Sequence, residues 1–584
     1  MDKSTKNFIS IIICLVVLAS ILIIYVLKDL NNNIDSAGEN TVIPIEESEE
    51  LSVEYSEEEI DGIYTNYNVK INLNDMSLEG VGGVSIYDTT IKITSGGTYY
   101  FTGTATEANI EIEAKDQDVI LVFDNCNISC SKTSVINCIK ARKLVINSAE
   151  NSVNTFTDSS TYNILKNQEE PDGTIFSKAD MVINGLGKLV INANYEDAIV
   201  SKDSLKIVNT NIEISTVDDG IRGKDYTGIK DSIIVIKADE DGIKSTNTDI
   251  DLGYIVIEDC DIEIEAGRDG IQAESVLHVS NSNVKITTTG NTNQVDDTGN
   301  NISSKGLKAG NEITIYSGDF KITATDDTIH SNNYIIINGG TFELSSGDDG
   351  IHADNNILIN GGKINITKAY EGIEANYIRI KGGNIELKAT DDGINVSGGN
   401  DSSGFGGPGE MLNSESDNGR MLLIEGGEIN VYAEGDGLDS NGSIEINGGN
   451  IVVAGATNGG NGALDYDSKC TVTGGSLILY GADGMWQNPS NDSDQYCITF
   501  SYSGSKGDKI ELRDESNNTI CDVTTEMSYG RIGFSNIDLN LGSTYYLFVN
   551  GDEKDSQELT ENMTQNNENG MRQNNRNINR QFNQ

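Results

Sequence analysis

One spacing constrains this chain more than any other property: an acidic residue before Gly-Ile, or a close equivalent, returns about every 22 residues. The marker falls at Asp197, Asp219, Asp241, Asp269, Asp327, Asp349, Glu371, Asp392 and Asp436, and Lys305 takes the same slot before Gly306-Leu307. Successive steps are 22, 22, 28, 36, 22, 22, 22, 21 and 44 residues, the longer ones holding insertions near 246–251 and 290–302 and a Gly/Ser-rich loop at 398–420. Between markers the apolar residues alternate, as in Ile364-Asn365-Ile366, with Gly, Asn or Asp at the breaks. Alternation at period two means strand. Three short strands in a period too small for a helix pair make one coil of a parallel β-helix. A leucine-rich horseshoe has a similar period, but its Leu-x-x-Leu-x-Leu pattern is absent. The apolar positions then stack into interior columns, one running Phe342, Ile364, Ile385, Ile429, Ile451, Leu477.

The expected fold is therefore all-β, a parallel β-helix with ~22-residue coils over residues 61–490. Beyond it, residues 491–556 lose the period but still alternate, which suits a C-terminal β cap over the open edge. The tail at 557–584 is rich in Asn and Gln and reads as disordered. At the other end, residues 8–27 carry no charge, enough for a transmembrane helix within an N-terminal anchor at 1–28. Their length favours an uncleaved anchor over a cleaved signal, and either one puts the body outside the cytoplasm. Residues 29–60 hold eight Glu between Glu46 and Glu59 and read as an extended, self-repelling stem.

Asp plus Glu number 91 against 40 Lys plus Arg, a net charge of −51, which excludes the basic footprint that nucleic acid needs. Of eight Cys, Cys14 lies in the apolar run and the other seven have no regular spacing, so no disulfide framework is expected. Cys130 and Cys470 occupy slots that hold Leu or Ile in other coils, whereas pairing of Cys497 with Cys521 stays open.

Coils stack about 4.8 Å apart, so the acidic markers become a ladder of carboxylates that repel by ~1 kcal/mol per pair in water and by more at a protein surface. Calcium fits that spacing, with oxygen ligands at about 2.3–2.6 Å. The expected metal ligands are Asp218, Asp219, Asp241, Asp269, Asp327, Asp348, Asp349, Asp391 and Asp392. The competing reading makes each Asp-Gly a tight turn, its Asp bonded to the local backbone. Zinc is disfavoured, because only His278, His330 and His352 exist and no thiolate shares their slots. The residue after each Ile points outward, and that column reads Arg222, Lys244, Gln272, Lys308, His330, His352, Glu374, Asn395, Asp439. Its basic end, Arg222, Lys244 and Lys308, beside calcium would suit an anionic sugar polymer; the alternative is a solvated polar face. Tyr195, Tyr226, Tyr370 and Tyr377 could stack on sugar rings, though scattered Tyr in a β protein usually serves packing. No Ser/His/Asp or Cys/His set is placed and no catalytic residue is assigned. A calcium-assisted lyase would need Lys244 or Arg222 as base, and neighbouring carboxylates keep such groups protonated.

The strings Asn151-Ser152-Val153-Asn154, Phe176-Ser177-Lys178-Ala179-Asp180, Ile183-Asn184-Gly185, Asp219-Gly220-Ile221-Arg222-Gly223-Lys224-Asp225 and Asp241-Gly242-Ile243-Lys244 resemble the bacterial carbohydrate-binding domain-containing β-helix family over about residues 80–490. That resemblance implies a right-handed helix like that of pectate lyases, bound calcium, and binding of cellulose and acidic pectic polymers at the cell surface. Lys305 and Thr328 depart from the Asp-Gly pattern and set their coils apart for calcium. Two further readings stay open: a calcium-dependent polysaccharide lyase on the same scaffold, and a structural adhesin whose ladder is only turns.

Overall fold

After two antiparallel pairs, Val69–Asn72 with Ser77–Gly80 and Val84–Tyr87 with Thr90–Ile93, strand follows strand in sets of three that pair in parallel with their counterparts in the next coil. Asn211–Thr216, Ile221–Gly223 and Tyr226–Lys230 form one coil, followed by Ile233–Ala238, Ile243–Ser245 and Tyr254–Glu258. Between them the register runs Ile212↔Ile234, Ile221↔Ile243 and Ile229↔Ile257. The computed structural model describes residues 51–163, 170–290, 302–397 and 419–565, and it is nearly all β. The described residues all belong to one compact unit.

The alternating pattern explains the core. In Ile233–Ala238 burial alternates along the strand, with Ile234, Ile236 and Ala238 inside. Phe342, Ile364, Ile385, Ile429, Ile451 and Leu477 are register partners in turn, and all are buried. A second column, Ile221, Ile243, Ile271, Leu307, Ile329, Ile351, Ile373, Ile394, Leu438 and Leu464, is wholly buried. Each such side chain adds about 1.5–3 kcal/mol of burial. The seven described cysteines are free, Cys497 and Cys521 included, and Cys130 and Cys470 are buried in the core.

The last coil strand, Ser476–Gly481, pairs antiparallel with Arg531–Asn536, which pairs on with Cys497–Phe500. A four-stranded antiparallel sheet of Lys509–Arg513, Thr519–Thr524, Thr544–Val549 and Asp552–Glu558 follows from the same region. Pairing continues past the expected boundary at 556, because Met563–Gln565 lies parallel to Cys497–Phe500. The rest of the Asn/Gln-rich tail lies outside the described residues.

The stem departs from expectation within its described part. Glu57–Asp61 is a short helix with a Ser56/Glu59 capping box, and Tyr55, Ile60 and Tyr64 pack on Val145, Val182 and Val208. Self-repulsion is offset because Glu59 is buried against Lys143 (2.9 Å) and Lys206 (3.5 Å). The run at 8–27 lies outside the described residues, and among those described no helix is long and apolar enough to cross a membrane.

Candidate functional site

The marker residues sit just before the shortest strands of each coil and line up as a ladder. The Oδ1 of each Asp accepts the backbone N–H of the same slot one coil later. The distances are 3.1 Å for Asp219 N to Asp197, 3.0 Å for Asp241 N to Asp219, 2.9 Å for Asp269 N to Asp241 and 2.8 Å for Lys305 N to Asp269. The pattern resumes from Asp349 N to Asp327 (2.9 Å), Glu371 N to Asp349 (3.2 Å), Asp436 N to Asp392 (2.6 Å) and Gly462 N to Asp436 (2.5 Å). The Asp therefore bonds the neighbouring coil, where the turn reading put a local bond. The following glycine serves close approach: a Cβ on Gly220 would stand 2.5 Å from Gly242 O.

The second carboxylate oxygen faces the outward column, whose members are register partners from Arg222 to Asp439. Arg222 contacts Asp197 and Asp172, the latter at 2.7 Å. Lys244 Nζ lies 2.5 Å from Asp241 Oδ2 and 3.8 Å from Asp219 Oδ2, and Lys308 Nζ 3.1 Å from Asp269 Oδ2. Gln272, its amide turned to donate, reaches Asp241 Oδ2 at 3.1 Å and Asp269 Oδ2 at 3.3 Å. Lys305, standing in the acid slot, puts a buried ammonium 2.6 Å from Asp327 Oδ2 and 3.0 Å from Asp326 Oδ1. His330 Nδ1 adds a contact to Asp327 Oδ2 at 2.8 Å, and its ring stacks on His352 with centroids 4.9 Å apart. Arg222, Lys244 and Lys308 are each about a quarter exposed, and their charge already neutralises ladder carboxylates.

Electrostatics follow this pairing. Burial raises Asp327, but Lys305 and then His330 outweigh it and hold the carboxylate well below its ordinary range. At Asp269 burial is likewise outweighed, chiefly by Lys308. Asp241 is pushed up to about 6 by burial and Asp269, against Lys244. Burial pulls the Lys244 ammonium down, yet Asp241 and Asp219 hold it above its ordinary value. It is a poor base.

Past Glu374, which still faces His352 at 3.0 Å, the column turns acidic without a cation to meet it. Among the described residues, no Lys, Arg or His makes an ion pair with Asp391, Asp392, Asp436, Asp439 or Asp465. Burial and neighbouring carboxylates push Asp392 up to about 7, Asp439 to about 8 and, with Asp465, Asp436 to about 6. Asn395 Oδ1 is buried beside them without a hydrogen-bond partner, while its Nδ2 donates to Glu371 Oε2 at 2.7 Å. Asp465 was missed in the sequence because Ala463-Leu464 replaces Gly-Ile there; Leu464-Asp465 repeating Leu438-Asp439 was the available signal, and the two Asp are register partners. Asp218 and Asp348 sit half-buried one residue outside the ladder, Asp218 in a carboxylate group with Asp197 and Asp219 and Asp348 in one with Asp326 and Asp327.

The tyrosines serve mainly one another: Tyr226 stacks on Tyr254 at 5.0 Å and Tyr195 on Tyr162 at 4.1 Å. Tyr377 is buried and Tyr370 exposed. A groove of about 500 Å³ lies apart from the ladder, between Ile233, Val235, Glu263, Lys285 and Glu343, and holds no histidine.

The family model described as carbohydrate-binding domain-containing protein matches residues 87–350 and 348–509, the whole ladder included. The chain belongs to this family. A relative of the same description from Acetivibrio thermocellus is 32% identical over 246 residues, 37% of this chain and 84% of its own length. A solved structure described as the polysaccharide lyase-like protein from C. thermocellum, a gadolinium derivative, is 30% identical, covers 39% of this chain and 92% of that chain, and has a TM-score of 0.37. Membership of the carbohydrate-binding family supports polysaccharide binding by this member.

Proposed function

We propose that this protein binds acidic, pectate-like polysaccharide at the cell surface through calcium held at the acidic end of its ladder, and does not cleave the polymer. The observation that carries the reading is the change in pairing along the outward column. Between Asp197 and Asp327 the ladder charge is met by Arg222, Lys244, Lys305, Lys308 and His330. Around Asp391, Asp392, Asp436, Asp439 and Asp465 no such cation stands among the described residues, and the donors are all oxygens. Calcium takes 6–8 oxygen ligands, neutral amide oxygens among them, so Asn395 Oδ1 suits it as well. Coils about 4.8 Å apart let one ion touch two of them, and its remaining positions accept uronate oxygens.

This reading narrows the calcium expectation to Asp391, Asp392 and the coils after them. It leaves Asp219, Asp241, Asp269 and Asp327 as inter-coil acceptors compensated by protein cations. Arg222, Lys244 and Lys308 remain partly exposed and can flank a polymer, with less free charge than their sequence suggests. The coil topology is taken as a right-handed parallel β-helix, and residues 8–27 as the anchor that places it on the outer face of the membrane. The non-cleaving half rests on Lys244, which two carboxylates keep protonated.

The test is a pull-down of polygalacturonate by the full chain with calcium and with chelator. Binding should fall at least tenfold in chelator and in Asp439→Asn, with no rise in absorbance from unsaturated uronate. Equal binding in chelator sinks the calcium reading, and calcium-dependent growth of that absorbance makes the protein a lyase.

A further inference from the structure

Between the compensated part of the ladder and its acidic end, one imidazole faces carboxylates with no lysine or arginine in ion-pair contact among the described residues. His352 Nδ1 lies 3.0 Å from Asp349 Oδ2 and 3.0 Å from Glu374 Oε2. Asp349 and His352 belong to one coil, and Glu374 is the register partner of His352 in the next. The three side chains are 9%, 2% and 14% exposed. The other ring nitrogen, Nε2, is buried with no hydrogen-bond partner, 3.5 Å from Asp354 Oδ1. The neighbouring histidine differs on each count. His330 shares Asp327 with the Lys305 ammonium, and its Nε2 is bonded to Asn332 Oδ1 at 3.0 Å.

We propose that Asp349, His352 and Glu374 form a binding site for a divalent transition ion of the zinc class, which ties two coils together. Three lines of geometry and chemistry converge on it. Bonds of about 2.0–2.1 Å in a tetrahedral site hold donor atoms about 3.3 Å apart. The two 3.0 Å separations around His352 Nδ1 therefore need to open by only a few tenths of an ångström. An imidazole nitrogen among carboxylate oxygens suits zinc, whereas calcium takes oxygens. A histidine bound through Nδ1 presents Nε2–H outward, and such a group is regularly held by a carboxylate; Asp354 stands there. Glu371, in the ladder slot of the next coil, donates its N–H to Asp349 Oδ1 at 3.2 Å and leaves Asp349 Oδ2 turned to His352. As the ion enters, the proton on Nδ1 leaves to solvent. Histidines and thiolates are too few in the sequence for a zinc set of their own; the carboxylates that complete this one come from two coils.

The site is distinct from the calcium positions proposed above, and its test keeps them apart. The full chain, stripped with chelator, is titrated with zinc and separately with cobalt(II). One equivalent of zinc should bind in the presence of millimolar calcium, and cobalt should show the visible bands of a tetrahedral site. His352→Gln and Glu374→Gln should each weaken that zinc binding at least tenfold and remove the bands, while Asp439→Asn leaves both unchanged. Glu374→Gln, checked for an unaltered strand signal in circular dichroism, carries the test if His352→Gln does not fold. Zinc uptake equal to that of the unmodified chain in the folded variants, or full displacement of zinc by millimolar calcium, overturns the assignment.

Discussion

At the scale of single residues, each letter of Asp-Gly-Ile has its own physical task. At Asp241, Oδ1 accepts the Asp269 N–H at 2.9 Å and Oδ2 takes the Lys244 ammonium at 2.5 Å. Gly242 leaves room for the next coil, since a Cβ would stand 2.5 Å from Gly270 O. Ile243 fills the core. Asp241→Ala strands a buried N–H and an ammonium together, and should cost about 3–5 kcal/mol in denaturant unfolding. Asp241→Asn keeps the oxygen that accepts the N–H and should cost less. An alanine no worse than the asparagine would show that the inter-coil bond does not matter. Gly242→Ala should cost about 1–3 kcal/mol through the forced shift of the next coil. The positions of all three residues were legible as a spacing of 22. Which atoms meet across that spacing was not, because a period shows that two residues are neighbours and not which of their oxygens turns inward.

At the scale of elements, the three-strand coil was readable from alternation within the 22-residue repeat, and so was the column from Phe342 to Leu477. The segment around Glu57–Asp61 was not. Eight Glu in fourteen residues masked Val53, Tyr55, Ile60 and Tyr64, which have no regular period because they lie across a sheet instead of within it. Tyr55 Oη and the Val53 methyls crowd Gly228, where a Cβ would stand 2.7 Å and 2.8 Å from them. Burial pushes the Glu59 carboxyl up, but Lys143, the Ser56 N–H and Lys206 outweigh it and hold it below its ordinary value. Glu59→Ala takes the carboxylate from Lys143 and Lys206 and removes the Glu59 half of the capping box, while the Ser56 Oγ cap stays, a loss of about 1–3 kcal/mol. Protease should then cut at 51–64 several-fold faster while the C-terminal sheet stays intact. Unchanged cleavage would mean that the apolar contacts alone hold the segment.

At the scale of the whole molecule, a net charge of −51 is tolerated because the two signs are arranged differently along the ladder. One part is compensated by protein cations; at the acidic end burial pushes the carboxyls up in the absence of a cation. In chelator, Asp392, Asp436 and Asp439 sit near 7, 6 and 8 in the folded state against an ordinary 3.8. The folded chain therefore binds more protons than the unfolded chain between about pH 4 and pH 8. Their contribution is complete below about pH 4 and is lost as pH climbs through 6 to 8, so chelated protein must lose stability with rising pH. Asp197, pushed up to about 8 chiefly by burial, acts with the same sign, which is why a variant is needed to isolate the acidic end. Calcium that binds only the folded state restores stability by RT ln(1 + [L]/Kd), and it does so where the carboxyls have ionised. Raising pH from 5.5 to 8.5 in chelator should lower Tm by ~5 °C. Calcium should recover most of that loss at pH 8.5 and add little at pH 5.5. Asp439→Asn should flatten the pH slope and reduce the calcium response together, since one carboxyl serves both. A chelated protein whose Tm is level across this range, and which calcium leaves unmoved at pH 8.5, would mean that water alone solvates these carboxylates.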